Sequence, residues 1–174
     1  MSGVYLTRTN QKLNFTRIHL DALKGAQEST GWSKHALIES YNESVLFHMV
    51  SAYSSLLREI AEQYSLDANR ITKLSQLVDQ MEAQGLEAPE VSELQQLHND
   101  SGSWLHHLLA AYKGCWRAED HQASAGQAES VSEIHVMQIN PDHAEDGDII
   151  REYQEWFGQF KALVERLRVG MQEW

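Results

Sequence analysis

Cysteine is nearly missing from this chain: Cys115 is the only one in 174 residues. A lone cysteine excludes an intrachain disulfide and cannot build a thiolate metal cluster, and a reducing compartment is the natural expectation. Its context, AAYKGCWRA, reads as helical and apolar. A buried structural thiol is therefore expected rather than a nucleophile, which needs a nearby base and some exposure. Proline is almost as scarce: Pro89, Pro141 and ten glycines are all that punctuate the chain. The Leu, Ala, Gln, Glu and Ser between them favour long helices over strands. Long apolar runs are absent too. No stretch approaches the roughly 20 residues of a membrane span, and the opening MSGVYLTRTNQK lacks the apolar core of a signal peptide. The expectation is an all-α, cytoplasmic protein with no membrane partner.

Positive charge is the next scarcity. The formal net charge is −11, and residues 119–155 alone hold ten Asp or Glu against one Arg. A chain this acidic repels phosphate backbones and anionic lipid, so nucleic acid is a poor default partner. The exception is the first 24 residues, where Arg8, Lys12, Arg17 and Lys24 face only Asp21. Four cations on one helix ordinarily make a solvated face.

What is present is helical periodicity. A first helix over 4–26 has two apolar sides: Leu6, Leu13, Leu20 and Leu23 cluster on one, and Phe15, Ile18, Ala22 and Ala26 on the other. Such a helix is threaded between others of its chain or uses its second face to meet a partner subunit. Ser33 reads as the N-cap of a second helix over 34–64, with Trp32 placed to staple onto Leu37. This helix carries a band from Leu37 to Ile60 much wider than a surface helix needs, which makes it the central one. Asp67 and Asn69 compete as caps before a short helix through Ile71, Leu74, Leu77, Val78 and Met81, ending near Gly85. Pro89 suits the first turn of a fourth helix. That helix meets NDSGS at 99–103, where a kink or recapping is expected, and resumes from Trp104 to Trp116.

Residues 119–147 are small, polar and acidic, and a connection this long is either disordered or wraps the surface. Val131, Ile134, Val136 and Ile139 alternate in part, as an extended segment with one buried side does. It lies across the bundle as a strap, or pairs as a strand with a second copy or a partner edge. The last helix is the cleanest, with Ile149, Ile150, Tyr153, Trp156, Phe157, Phe160, Leu163, Val164, Leu167, Met171 and Trp174 recurring at helical spacing.

Nine histidines invite a metal reading. His106 and His107 are adjacent, so their side chains diverge by about 100° on a helix and cannot chelate one ion together. Bundle di-metal sites use Glu-x-x-His, and no histidine here has Glu three residues before it. No metal and no cofactor is expected. His48, inside VLFHMVSAY, sits near the apolar band of the central helix, where a hydrogen-bonded core histidine is the ordinary role. A ligand site there would recruit Tyr41, Ser44, Ser51 or Ser55. The motifs of serine hydrolases, P-loop proteins and dinucleotide folds are all missing, so no catalytic residue is assigned.

YLTRTNQKLNF at 5–15, ALIESYNESVLFHMVSAYSSLLREIAEQY from the second helix, and the final RLRVGMQEW together resemble a family of short helical proteins of gammaproteobacteria, classed as a domain of unknown function. The likeness spans most of the chain and is weakest at the linker. It implies an all-α cytosolic protein and transfers no catalytic residue.

TRTNQK would be costly facing only water, because Thr and Asn are middling or poor helix formers. Arg8, Asn10 and Arg17 are expected to tie the first helix to the acidic segment. The reading is one helical domain over 1–174, a bundle of about five helices with a strap between the last two. It is expected to act as a non-enzymatic interaction or scaffold protein that forms a homo-oligomer, a homodimer in the simplest case, with an unidentified protein partner as a further option. The alternative is a small-ligand-binding or enzymatic bundle with a polar pocket at His48 and Tyr41.

Overall fold

The computed structural model describes residues 3–117 and 146–172. Among them there are six α-helices, a single 3-10 turn and no strand: α1 (Val4–Glu28), α2 (Lys34–Gln63), the 3-10 turn (Ala68–Arg70), α3 (Leu74–Ala83), α4 (Pro89–Asn99), α5 (Trp104–Gly114) and α6 (Asp146–Gln172). The all-α class is as the sequence implies. The expected strap and its alternating run from Val131 to Ile139 lie outside the described residues, as does Trp174. Asp146 and Gly147, assigned to the strap, belong instead to the first turn of α6.

The scaffold is an antiparallel hairpin of α1 and α2, whose packing is the most extensive between any two elements. On α1 the buried residues are Thr9, Thr16, Leu20, Leu23 and Ala26, with Leu13 packed beside them. On α2, Ile38, Asn42, Val45, Met49, Ala52, Leu56 and Glu59 are all buried. Both sets repeat at alternating three- and four-residue steps, the spacing that lets two helices interlock. Two threonines can occupy such a seam because each hydroxyl donates to its own helix: Thr9 Oγ1 to the Tyr5 carbonyl at 2.8 Å and Thr16 Oγ1 to the Lys12 carbonyl at 3.0 Å. Neither hydroxyl is left wanting, and the small side chains let the axes approach, whereas Asn42 Oδ1 in the same seam has no hydrogen-bond partner among the described residues.

As the width of its apolar band implies, α2 is central: Leu46, Tyr53, Leu57, Ile60 and Ala61 are buried as well. The last helix, α6, closes the bundle with Ile150, Tyr153, Trp156, Phe160, Leu163, Val164, Leu167 and Met171. Trp104 of α5 meets Phe160 with ring centroids 5.6 Å apart. Arg168 anchors α6 in two directions. Its guanidinium donates to both oxygens of the buried Glu59 carboxylate, at 2.7 and 3.0 Å, and to Asn10 Oδ1 of α1 at 2.9 Å.

Helix ends show local logic. Behind α2, Leu66 N donates to Ala61 O at 2.8 Å and Ser65 N to Glu62 O at 3.1 Å; behind α3, Leu86 N donates to Met81 O at 2.9 Å and Gly85 N to Glu82 O at 3.0 Å. Both are the same left-handed terminator, occupied once by Gly85 (φ 64) and once by Ser65 (φ 56). At NDSGS the helix is recapped, so one expected helix becomes two. Asp100 Oδ1 accepts from Gly102 N at 2.9 Å, and Ser103 Oγ accepts from His106 N at 3.0 Å. The staple before α2 does not form. Trp32 is fully exposed, and Ser33 makes no side-chain cap.

Candidate functional site

The expected site residues are brought together only in part. His48 contacts His19 of α1, with ring centroids 4.6 Å apart, and Phe15 and Phe47 at 5.5 and 5.2 Å. Tyr41 reaches this group through His19, at 6.2 Å. The Nδ1 atoms of His19 and His48 are buried with no hydrogen-bond partner among the described residues. Burial, then the charges of His19 and Lys12, lower the His48 pKa from the ordinary 6.5. Neither His48 nor Tyr41 lines either of the two grooves described below.

Arg8, Asn10 and Arg17 share no common partner. Arg8 donates to Gln11 in its own helix, Arg17 pairs with Asp21 at 3.0 Å and with Asn14, and Asn10 accepts from Arg168 of α6. Their proposed contact with the acidic segment falls on residues outside those described. His106 and His107 stand with ring planes at 90°, and His106 Nδ1 lies 3.2 Å from the His98 carbonyl. The Cys115 thiol is half-buried, contacts the Ala111 carbonyl oxygen at 3.6 Å, and is pushed up first by burial and then by Glu43. It is poorly suited to attack anything. Among the described residues no three His, Cys, Asp or Glu side chains are grouped to hold a metal ion.

A concavity lies one turn further along the hairpin. A groove of about 510 Å³ runs between the first turns of α1 and the last turns of α2, lined by Tyr5, Thr7, Arg8, Gln11 and Lys12 on one wall and by Ser51, Ser54, Ser55 and Arg58 on the other. It holds three cations and no carboxylate. Arg58 is fixed from two sides, with Nε donating to the Ile71 carbonyl at 2.6 Å and the guanidinium 5.4 Å from the centroid of the Tyr5 ring. Lys12 Nζ lies 5.7 Å from the Phe15 centroid and 5.4 Å from that of Phe47. Burial and then the Arg8 charge lower its pKa from the ordinary 10.5. A second groove, about 560 Å³, is lined by Glu59, Glu62 and Arg168 and contains its own counter-charges.

Sequence reasoning missed this groove. The cations of α1 are legible as a face, but nothing in the linear chain sets Arg58 beside Arg8 until the two helices fold back antiparallel. The available signal is a second run at three- and four-residue steps: Val4, Arg8, Gln11, Phe15, Ile18 and Ala22 on α1, and Ser40, Ser44, Phe47, Ser51, Ser54 and Arg58 on α2. These make an outer seam on the side of the hairpin away from the buried one. Its cationic end is the groove. At its other end Ile18 and Phe47 are about half exposed, at 46% and 47%, beside the small side chains of Ala22, Ser44 and Ser40.

Fold and site together define an all-helical bundle with an open groove on a helical hairpin. No helix there is long and apolar enough to cross a membrane. The chain belongs to a family of unknown function, DUF6586, whose model matches residues 1–174. No curated protein and no solved structure matches it.

Proposed function

We propose that this protein is a non-enzymatic helical interaction module that self-associates, and that the apolar end of the outer α1–α2 seam is where a second copy docks. The observation that carries this reading is the pair of half-exposed side chains Ile18 and Phe47, flanked by Phe15 and by small residues on both helices. An exposed apolar strip between two helices is the groove into which further helices pack, and small flanking residues let them come close. A two-fold contact presents the same patch from each copy. Arg8, Lys12 and Arg58 repel their own counterparts, so the contact centres on Ile18 and Ser44 and leaves the cationic end outside it. A cytoplasmic location suits the single free Cys115.

The test is size-exclusion chromatography with light scattering on the wild type, Ile18→Glu and a control, Val169→Glu. Val169 is an exposed residue of α6. The reading expects a dimer for the wild type and the control, and a monomer for Ile18→Glu. A ligand-binding reading, at the cationic groove and not at the expected pocket of His48 and Tyr41, is favoured by one observation, the three cations that line it with no carboxylate.

A further inference from the structure

We propose that the groove formed by Tyr5, Arg8, Lys12, Ser51, Ser54 and Arg58 binds a small phosphorylated molecule carrying at least two negative charges. Five of the six arginines elsewhere have anionic partners: Arg17 with Asp21, Arg70 with Asp67, Arg151 with Asp148, Arg166 with Glu93 and Arg168 with Glu59. In an acidic chain such pairing is the default. Arg8 and Arg58 have no carboxylate partner among the described residues, although the chain carries 25 acids against 14 bases. Burial and then the Arg8 charge disfavour the Lys12 ammonium. A bound anion relieves that repulsion, so binding draws on a cost the free groove already bears.

The donors suit a tetrahedral oxyanion better than a planar carboxylate. Lys12 supplies a compact, rotatable ammonium, Ser51 and Ser54 supply single hydroxyls from the opposite wall, and the two guanidiniums come from different helices. Arg58 is pre-organised: its Nε is already engaged with the Ile71 carbonyl and its plane rests by Tyr5. The side chain held in this way lines the groove. Three cations match a phosphate ester or diphosphate in charge, and about 510 Å³ lies within the range of small-molecule sites. The self-association patch adjoins this groove at Lys12, whose ammonium lies by the Phe15 and Phe47 rings, and Arg8 and Arg58 lie beyond that border.

The experiment is amide NMR titration with calorimetry on the full chain at low ionic strength, using inorganic phosphate, inorganic pyrophosphate, glycerol 3-phosphate and citrate. Pyrophosphate and glycerol 3-phosphate should bind saturably and shift the amides of Gln11, Ser51 and Ser54, and inorganic phosphate should bind more weakly. Arg8→Gln and Lys12→Gln should each weaken pyrophosphate by about tenfold, as loss of one charge-assisted contact does. Arg17→Gln should leave it unchanged. The proposal is overturned by non-saturable shifts, by equal loss in Arg17→Gln, by inorganic phosphate binding as tightly as the ester, or by citrate matching pyrophosphate. Light scattering on Arg8→Gln separates the two readings, because its oligomeric state should equal that of the wild type whichever way the titration falls.

Discussion

His48 stands between His19, Phe15, Phe47 and the Lys12 ammonium, and that setting gives it a pH signature. Its folded pKa lies below the unfolded value near 6.5, so as pH falls the unfolded chain takes up the proton first. Its contribution to stability is present above the unfolded pKa and declines as pH falls from there to the folded pKa. Urea midpoints at about pH 7.5 and about pH 5.5 should therefore differ more for the wild type than for His48→Gln. Equal differences would remove His48 from the account. Ser65 makes an independent prediction at the same scale. A non-glycine residue in the left-handed region costs roughly 1 kcal/mol, and Gly85 fills the matching position behind α3 without that cost. Ser65→Gly should raise the melting temperature by about 2–4 °C. Arg168 is the partner of a buried charge. With Glu59 buried and bidentately held, Arg168→Met leaves an unpaired buried carboxylate and should cost about 3 kcal/mol. Adding Glu59→Leu should recover much of that loss in a denaturation series, and a double variant no better than the single would contradict the assignment.

At the scale of elements, α2 and α6 were legible because their apolar bands are wide and regular, which burial from several sides requires. The central place of α2 follows from that width. The buried seam of α1 was harder to read. Thr9 and Thr16 look like surface residues by type, yet each hydroxyl is satisfied by the carbonyl one turn earlier and both side chains are fully buried. The crowded opening TRTNQK is thus mainly seam and anchor, with Asn10 held by Arg168. The second apolar side of α1 was legible in part: Phe15, Ile18 and Ala22 lie together on the outer seam, but Ala26, expected with them, is buried beside Leu20 and Leu23, and Leu6, expected with those leucines, is exposed. Its counterpart on α2 was hidden inside a band already assigned to the core. The staple failed for a local reason: Trp32 projects from the turn into solvent. Recapping at Asp100 and Ser103 was legible from residue type alone, because Asp and Ser at a break supply the acceptors that orphaned amides need.

For the whole molecule, composition alone fixed the helical class: two prolines and ten glycines leave little room for strands and turns. Charge is where linear reading and folded shape part. A net charge of −11 argues against anionic partners only if the field is uniform, and folding brings Arg8, Lys12 and Arg58 to one uncompensated groove. Antiparallel register, which no local propensity encodes, does this. At the other end of the same seam lies the apolar patch of Ile18 and Phe47, which we propose as the docking surface for a second copy. Its most direct test is light scattering on the wild type beside Ile18→Glu and Val169→Glu. The account predicts a dimer, a monomer and a dimer in that order; a wild-type monomer, or an Ile18→Glu protein that remains dimeric, would contradict it.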